Sequence, residues 1–391
     1  MKKLLYWIRL IIHLNLPILK NVVLFRSFYG QYNDNPKYIF EELHKRNKNI
    51  KTVWVTGVGK KQSFPEGVET VELHSKEYAK YIARAKVVVD NYTGIRSNFI
   101  KGNNIFKRAL YKYTAKKRKG QLNISTWHGT PLKKIALDEP QYKNKKHSKA
   151  YLNTDILLSG CNVTANSFIT AFKFKGEILK FGTPRNDILF KPETKEELKK
   201  KLGLPLNKKV ILFAPTFRDS LEMSGLYQMK NLDINNLLTK LSNKFGGEWC
   251  FVFRTHNLVF QKIQEEGLKI NENVINGNKF DDMAEYLVCT DLLLTDYSGS
   301  MFDYLITKKP CLLYTPDLDN YKNNERGFYL NIDKLPYKPC VTEEELIKEI
   351  EDFNEEKYIC KVNEFLVKIE NTETGEASKK VVDIIETHLE K

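Results

Sequence analysis

Apolar residues in this chain fall into short, nearly unbroken runs. Residues 22–25 (Val-Val-Leu-Phe), 52–55 (Thr-Val-Trp-Val) and 86–90 (Lys-Val-Val-Val-Asp) are such runs, and between them residues 36–46 and 75–85 space apolar side chains at helical intervals. Runs without polar alternation suit strands buried on both faces, and the intervening periods suit covering helices. The order strand, helix, strand predicts a parallel sheet. After Thr183-Pro184-Arg185-Asn186-Asp187 the pattern begins again, with a helical stretch at 195–202 and strand runs at 210–213, 251–253, 273–275, 292–294 and 311–314. The prediction is an α/β chain of two Rossmann-like domains, residues 21–187 and 188–391, with a cleft between them at the carboxyl ends of the strands.

Residues 1–20 carry a different pattern. On a helix, Leu4, Leu5, Ile8, Ile11, Ile12 and Leu16 share roughly one face, and Lys2, Lys3 and Arg9 lie at or near the other. The run is too short to span a bilayer, is interrupted by Arg9, His13 and Asn15, and is followed by no small-residue cleavage site. It reads either as an amphipathic helix on an anionic membrane surface or as a helix docked on the protein's own core.

Composition narrows the picture. The 391 residues are 42% hydrophobic, enough for two cores and too many for disorder. An excess of 63 Lys and Arg over 48 Asp and Glu leaves a formal charge of +15, which favours an anionic partner. The basic, aromatic-rich segment 95–120 suits a membrane-embedded or phosphate-rich acceptor; a solvated helix face, the commoner outcome for a charge run, and RNA binding are the alternatives. The six cysteines lack any paired metal-ligand spacing, and several sit in apolar runs, so buried thiols in a reducing compartment are expected. With no Walker loop, GxGxxG, HExxH or Asp-x-Asp pattern, no metal site and no cofactor are expected.

Candidate chemistry gathers where apolar runs end. Ser125-Thr126-Trp127-His128-Gly129-Thr130-Pro131-Leu132-Lys133-Lys134 puts an imidazole in a turn beside two lysines. Such a group suits proton transfer near an anionic substrate. Arg254 and His256, two apart after the 251–253 run, point to one side of an extended backbone and together suit an anion clamp. Thr295-Asp296-Tyr297-Ser298-Gly299-Ser300 leads into a helix beginning near Met301, where backbone N–H groups with Ser298 and Ser300 suit a phosphate, and Asp303 suits ribose hydroxyls. Thr216 and Arg218 follow another strand run, and Arg326 stands in a polar loop before Gly327-Phe328-Tyr329.

These segments, together with Phe213-Ala214-Pro215-Thr216-Phe217-Arg218-Asp219, resemble the CDP-glycerol glycerophosphotransferase family. One departure is Asn257, where the family usually has proline after the Arg-x-His histidine. The resemblance implies a GT-B fold and transfer of glycerol phosphate from CDP-glycerol to a hydroxyl of a lipid-linked saccharide or poly(polyol phosphate), releasing CMP, as in teichoic acid synthesis. It implies His128 and His256 as catalytic residues, and Thr216, Arg218, Arg254, Thr295, Ser298, Ser300, Asp303 and Arg326 as nucleotide and diphosphate contacts. Gly129, Thr130, Lys133 and Lys134 are then the acceptor contacts. The expected partners are a CDP-activated polyol, the acceptor and an anionic membrane surface, with no nucleic acid, at the cytoplasmic face of the membrane. CDP-ribitol as donor, and a GT-B nucleotide-sugar glycosyltransferase, remain alternatives.

Overall fold

The computed structural model describes residues 2–46, 49–59, 64–92, 113–114, 118–142, 151, 153–216, 232–255, 274–319 and 327–391. Seven strands form one sheet: β1 (Leu19–Arg26), β2 (Lys51–Thr56), β3 (Glu69–Glu72), β4 (Ala85–Asp90), β5 (Leu122–Ser125), β6 (Ile156–Leu158) and β7 (Glu177–Leu179). Six form a second: β8 (Lys209–Ala214), β9 (Trp249–Phe253), β10 (Val274–Asn276), β11 (Leu292–Thr295), β12 (Cys311–Tyr314) and β13 (Pro339–Cys340). Their orders are β3-β2-β1-β4-β5-β6-β7 and β10-β9-β8-β11-β12-β13, and every pairing is parallel.

The apolar runs become the central strands for the reason expected. All of β4, β9, β11 and β12 is buried, because helices cover both faces. Strand order reverses between β1 and β4 in the first sheet and between β8 and β11 in the second. Loops leaving such neighbours diverge to opposite faces and open a crevice. The expected two-domain α/β arrangement is thus present, and each sheet supplies its crevice to the region between them.

Both terminal helices pack on the first sheet, the last against the sequence grouping and the first by the docked alternative, through residues the sequence did not name. Helix Ala377–Glu390 packs Val381, Val382 and Ile385 against Phe25, Trp54, Val87 and Ile124 of the first sheet, although the sequence reading groups residues 188–391 with the second. Helix Lys2–Leu14 inserts Tyr6 and Leu10 into the first core beside Val22, Leu24, Val53 and Ile82. Neither Tyr6 nor Leu10 belongs to the apolar face read from the sequence. That face is partly turned outward instead, with Leu5, Ile8, Ile12 and Leu16 between 38 and 53% exposed.

The two sheets are also tied by charge. Lys37, in helix Asp34–Arg46, reaches Asp282 at 2.6 Å and Glu285 at 2.5 Å, and the Tyr38 hydroxyl donates to Asp282 at 3.0 Å. All four side chains are buried, so removing Lys37 leaves the Asp282 carboxylate without its cation, whereas Glu285 keeps Lys201 at 2.6 Å.

Leu10→Ala is expected to lose about 2 to 5 kcal/mol of stability in urea unfolding, the usual range for a buried leucine, and Ile12→Ala less than about 0.5. Equal effects would contradict the docking of this helix through Tyr6 and Leu10.

Candidate active site

At the end of β5 the chain leaves the sheet through Thr126, Trp127, His128 and Gly129. Trp127 takes a left-handed φ of +54°, a conformation that a bulky residue holds only when its surroundings enforce it. They do: its ring lies against Tyr151, Phe168 and Phe172 at 5.6 to 6.3 Å. Asn35, fully buried, donates to the carbonyl of Trp127 at 3.1 Å and to that of Thr126 at 3.4 Å. Gly129 has φ +109°, and an added Cβ there would stand 2.4 Å from Arg185 Nη2. Only glycine fits.

The His128 ring packs against Trp127 at 3.9 Å and edge-on to Phe28 at 5.0 Å. Nδ1 lies 3.2 Å from the Asn91 carbonyl. A carbonyl only accepts, so this bond puts the proton on Nδ1 and leaves a lone pair on Nε2. Burial drives the imidazole pKa down to about 4; Asp34 and the Asn91 carbonyl act upward, and Arg185 downward. The ring is neutral at pH 7. Asp138 and Glu139, the acids near it in sequence, are turned elsewhere: Asp138 accepts from Tyr329 at 2.6 Å and Thr170 at 2.5 Å, and Glu139 from Gln141.

Facing this loop are the ends of β8, β9 and β11. Asp296, fully buried, accepts from the Thr216 amide and hydroxyl at 2.7 and 2.6 Å and from the Tyr297 amide at 2.6 Å. Ser298 Oγ accepts from the Ser300 hydroxyl at 3.0 Å and the Ser300 amide at 3.3 Å. The lobes touch here, since a Cβ on Gly299 would lie 3.1 Å from the Thr130 carbonyl. Backbone also crosses between them: the Lys134 amide donates to Gly327 and the Tyr329 amide to Leu132, with Lys133 and Phe328 bridged antiparallel.

Of the expected site residues, His128, Gly129, Thr130, Lys133, Thr216, Arg254, Ser298 and Ser300 border one cleft of about 510 Å³. Others are used differently. Arg254 commits guanidinium donors to the carbonyls of Gly277, Phe280 and Asp281 at 2.5 to 2.8 Å and stacks 4.8 Å from the Tyr286 ring centre, so it fastens a loop as much as it faces the cleft. The Thr295 hydroxyl donates to the Ala214 carbonyl inside the sheet. The Asp303 carboxylate turns away from the cleft to Arg185 at 2.6 Å and Asn186 at 3.2 Å. Lys134 meets Gly327 through its backbone. His256, Arg218 and Arg326 lie outside the described residues.

Sequence reasoning missed Arg185, Asp34, Asn35 and Asn91. Thr183-Pro184-Arg185-Asn186-Asp187 stood out only as a boundary, yet it opens the 3₁₀ segment Pro184–Phe190, from which Arg185 reaches both lobes.

An NMR titration of the His128 ring should show a midpoint near 4, assigned by its loss in His128→Gln. Because the unfolded chain binds this proton first, His128 should favour unfolding progressively as pH falls from about 6.5 through 4. A midpoint near the ordinary 6.5 would mean that the ring is solvated.

A family model described as CDP-Glycerol:Poly(glycerophosphate) glycerophosphotransferase matches residues 8–387. The teichoic acid poly(glycerol phosphate) polymerase of Staphylococcus epidermidis is 32% identical over 93% of this chain, and the teichoic acid glycerol-phosphate transferase of Staphylococcus aureus is 31% identical over 94%. The chain spans about half the length of the first of these (50%) and 93% of the second. Among solved structures, the wall teichoic acid polymerase TagF superposes with a TM-score of 0.80 at 29% identity, covering 100% of this chain and 93% of that one. With the match running over nearly the whole chain and through both sheets, the chain belongs to the CDP-glycerol:poly(glycerophosphate) glycerophosphotransferase family and has its GT-B-like fold.

Proposed function

We propose that the chain transfers glycerol phosphate from CDP-glycerol to a hydroxyl of a lipid-linked saccharide or a growing poly(polyol phosphate), releasing CMP. One observation carries this reading: a neutral histidine of fixed tautomer borders the same cleft as the Thr216 and Ser298–Ser300 turns of the opposite lobe. In the proposed reaction Nε2 of His128 accepts the acceptor's hydroxyl proton as that oxygen attacks the phosphorus bearing glycerol. The new P–O bond forms as the bond to CMP breaks in line, and the electron pair leaves on the CMP phosphate. Thr216, Ser298 and Ser300 bind the nucleotide side; Gly129, Thr130, Lys133 and Lys134 receive the acceptor. By their motifs, His256 is the second catalytic residue, stabilising with Arg254 the charge that develops on the departing CMP, and Arg218 and Arg326 hold the donor phosphates. Thr295 and Asp303 serve the framework.

The acceptor reading places the chain at the cytoplasmic face of a membrane. Among the described residues no helix is long and apolar enough to cross one. The outward stripe of Leu5, Ile8, Ile12 and Leu16, flanked by exposed Arg9 and Lys20, supports peripheral attachment to anionic lipid. Ile8→Glu with Ile12→Glu should weaken co-sedimentation with anionic vesicles about tenfold or more without lowering the melting temperature. Unchanged sedimentation would remove this helix from the membrane account.

With a lipid-linked disaccharide acceptor, CMP release from CDP-glycerol is expected, and CDP-ribitol run in parallel identifies the polyol. His128→Ala should lower kcat by about 10²- to 10⁴-fold with the fold intact. Full activity in that variant, or turnover of nucleotide sugars alone, would overturn the reading.

A further inference from the structure

Behind the cleft lies a guanidinium that does not border it but is tied to both lobes. Arg185 lies on the stretch between the two sheets, its side chain 14% exposed. Nη1 donates to Asp34 Oδ1 at 2.9 Å, and Nη2 donates both to the His128 carbonyl at 3.0 Å and to Asp303 Oδ2 at 2.6 Å. Its amide donates to Asn35 Oδ1 at 3.0 Å, and Asn35 in turn holds the carbonyls of Thr126 and Trp127. Three consecutive carbonyls of the histidine loop are therefore fastened by Arg185 and the residue it bonds.

The contacts also close a ring. Asn91 Nδ2 donates to Asp34 Oδ2 at 2.8 Å, and the Asn91 carbonyl accepts from His128 Nδ1. From Arg185 the path runs through Asp34, Asn91 and the imidazole to the His128 carbonyl and back to Arg185. From the other side, Asp303 belongs to helix Ser300–Leu305, which begins with the serine that borders the cleft. Asn186, next to Arg185, also donates to Asp303 and to Glu373 at 3.1 Å. A lysine here would keep the charge, but a point ammonium does not span two carboxylates and a carbonyl as a planar fork does.

We propose that Arg185 is a positioning residue for His128, fixing both the ring's tautomer and its register against the Ser298–Ser300 turn through the Asp34 and Asp303 carboxylates. The inference rests on the transferase reading for its kinetic consequence. Its structural consequence, one imidazole tautomer, is independent of any substrate.

The test uses the full chain carrying Arg185→Lys, with Asp303→Asn as the milder variant should the first not fold. Folded state is checked by circular dichroism and melting. Arg185→Lys should lower kcat for CMP release about 10²-fold while changing the KM for CDP-glycerol less than about threefold, as expected for a misplaced base. Asp303→Asn should move the same way by about tenfold in kcat. In ¹⁵N-histidine spectra at pH 7, His128 should be a single Nδ1–H tautomer in the wild type and a mixture in either variant. A folded variant with wild-type kcat and one tautomer would overturn the proposal, as would a raised KM at constant kcat, which would make Arg185 a donor-binding residue. If the wild type releases no CMP, the transferase reading fails, and the tautomer spectra alone decide the role of Arg185.

Discussion

A single guanidinium held between two carboxylates from opposite lobes, Asp303 buried and Asp34 half-buried, fixes the centre of this molecule. Asp34 stands at the start of the helix that follows β1, Asp303 in the helix that follows β11, and Arg185 on the chain that links the sheets. Withdrawing these charges from most of their water costs desolvation energy that their attraction must offset, so such a triad contributes little net stability and much geometry. Gly129 must lack a side chain to admit the guanidinium, and the Trp127 backbone must be strained for the loop to reach it. The second charged tie, Lys37 with Asp282 and Glu285, and the short ladder between residues 132–134 and 327–329 set the same approach of the lobes from either side of the cleft.

The cleft thus combines opposite electrostatic demands. The chain as a whole carries a formal charge of +15, which concentrates phosphorylated substrates near its surface. The group proposed to take the proton is kept neutral by burial, so the phosphates do not hold it as an imidazolium and its lone pair stays available. The fixed Nδ1–H bond to Asn91 then presents one defined lone pair to the cleft rather than a rotating charge.

Much of this was legible in the sequence. The unbroken apolar runs at 22–25, 210–213 and 292–294 became central parallel strands, because full burial on both faces admits no polar alternation. The strand-end turns at His128, Thr216 and Ser298–Ser300 met in one cleft because each leaves a carboxyl end: Thr216 and Ser298 follow β8 and β11, which flank the reversal in the second sheet, and His128 follows β5, one strand from the reversal in the first. Side-chain direction was not legible. Asp303 near a helix start suits a ribose hydroxyl and an arginine equally in one dimension, and its arginine lies 118 positions away. The Arg254 donors go to carbonyls 23 to 27 positions later, in a loop that no spacing links to them. In helix Lys2–Leu14 the apolar residues are too many to name the docked side, and only the shape of the first core selects Tyr6 and Leu10.

The most direct test of the account is a structure of the chain in complex with CDP-glycerol. The account predicts the donor's diphosphate against the Thr216 and Ser298–Ser300 turns, with the glycerol-bearing phosphorus turned toward His128 and room for one hydroxyl oxygen about 3 Å from Nε2. A donor bound outside this cleft, or one whose glycerol phosphate points away from His128, would contradict it.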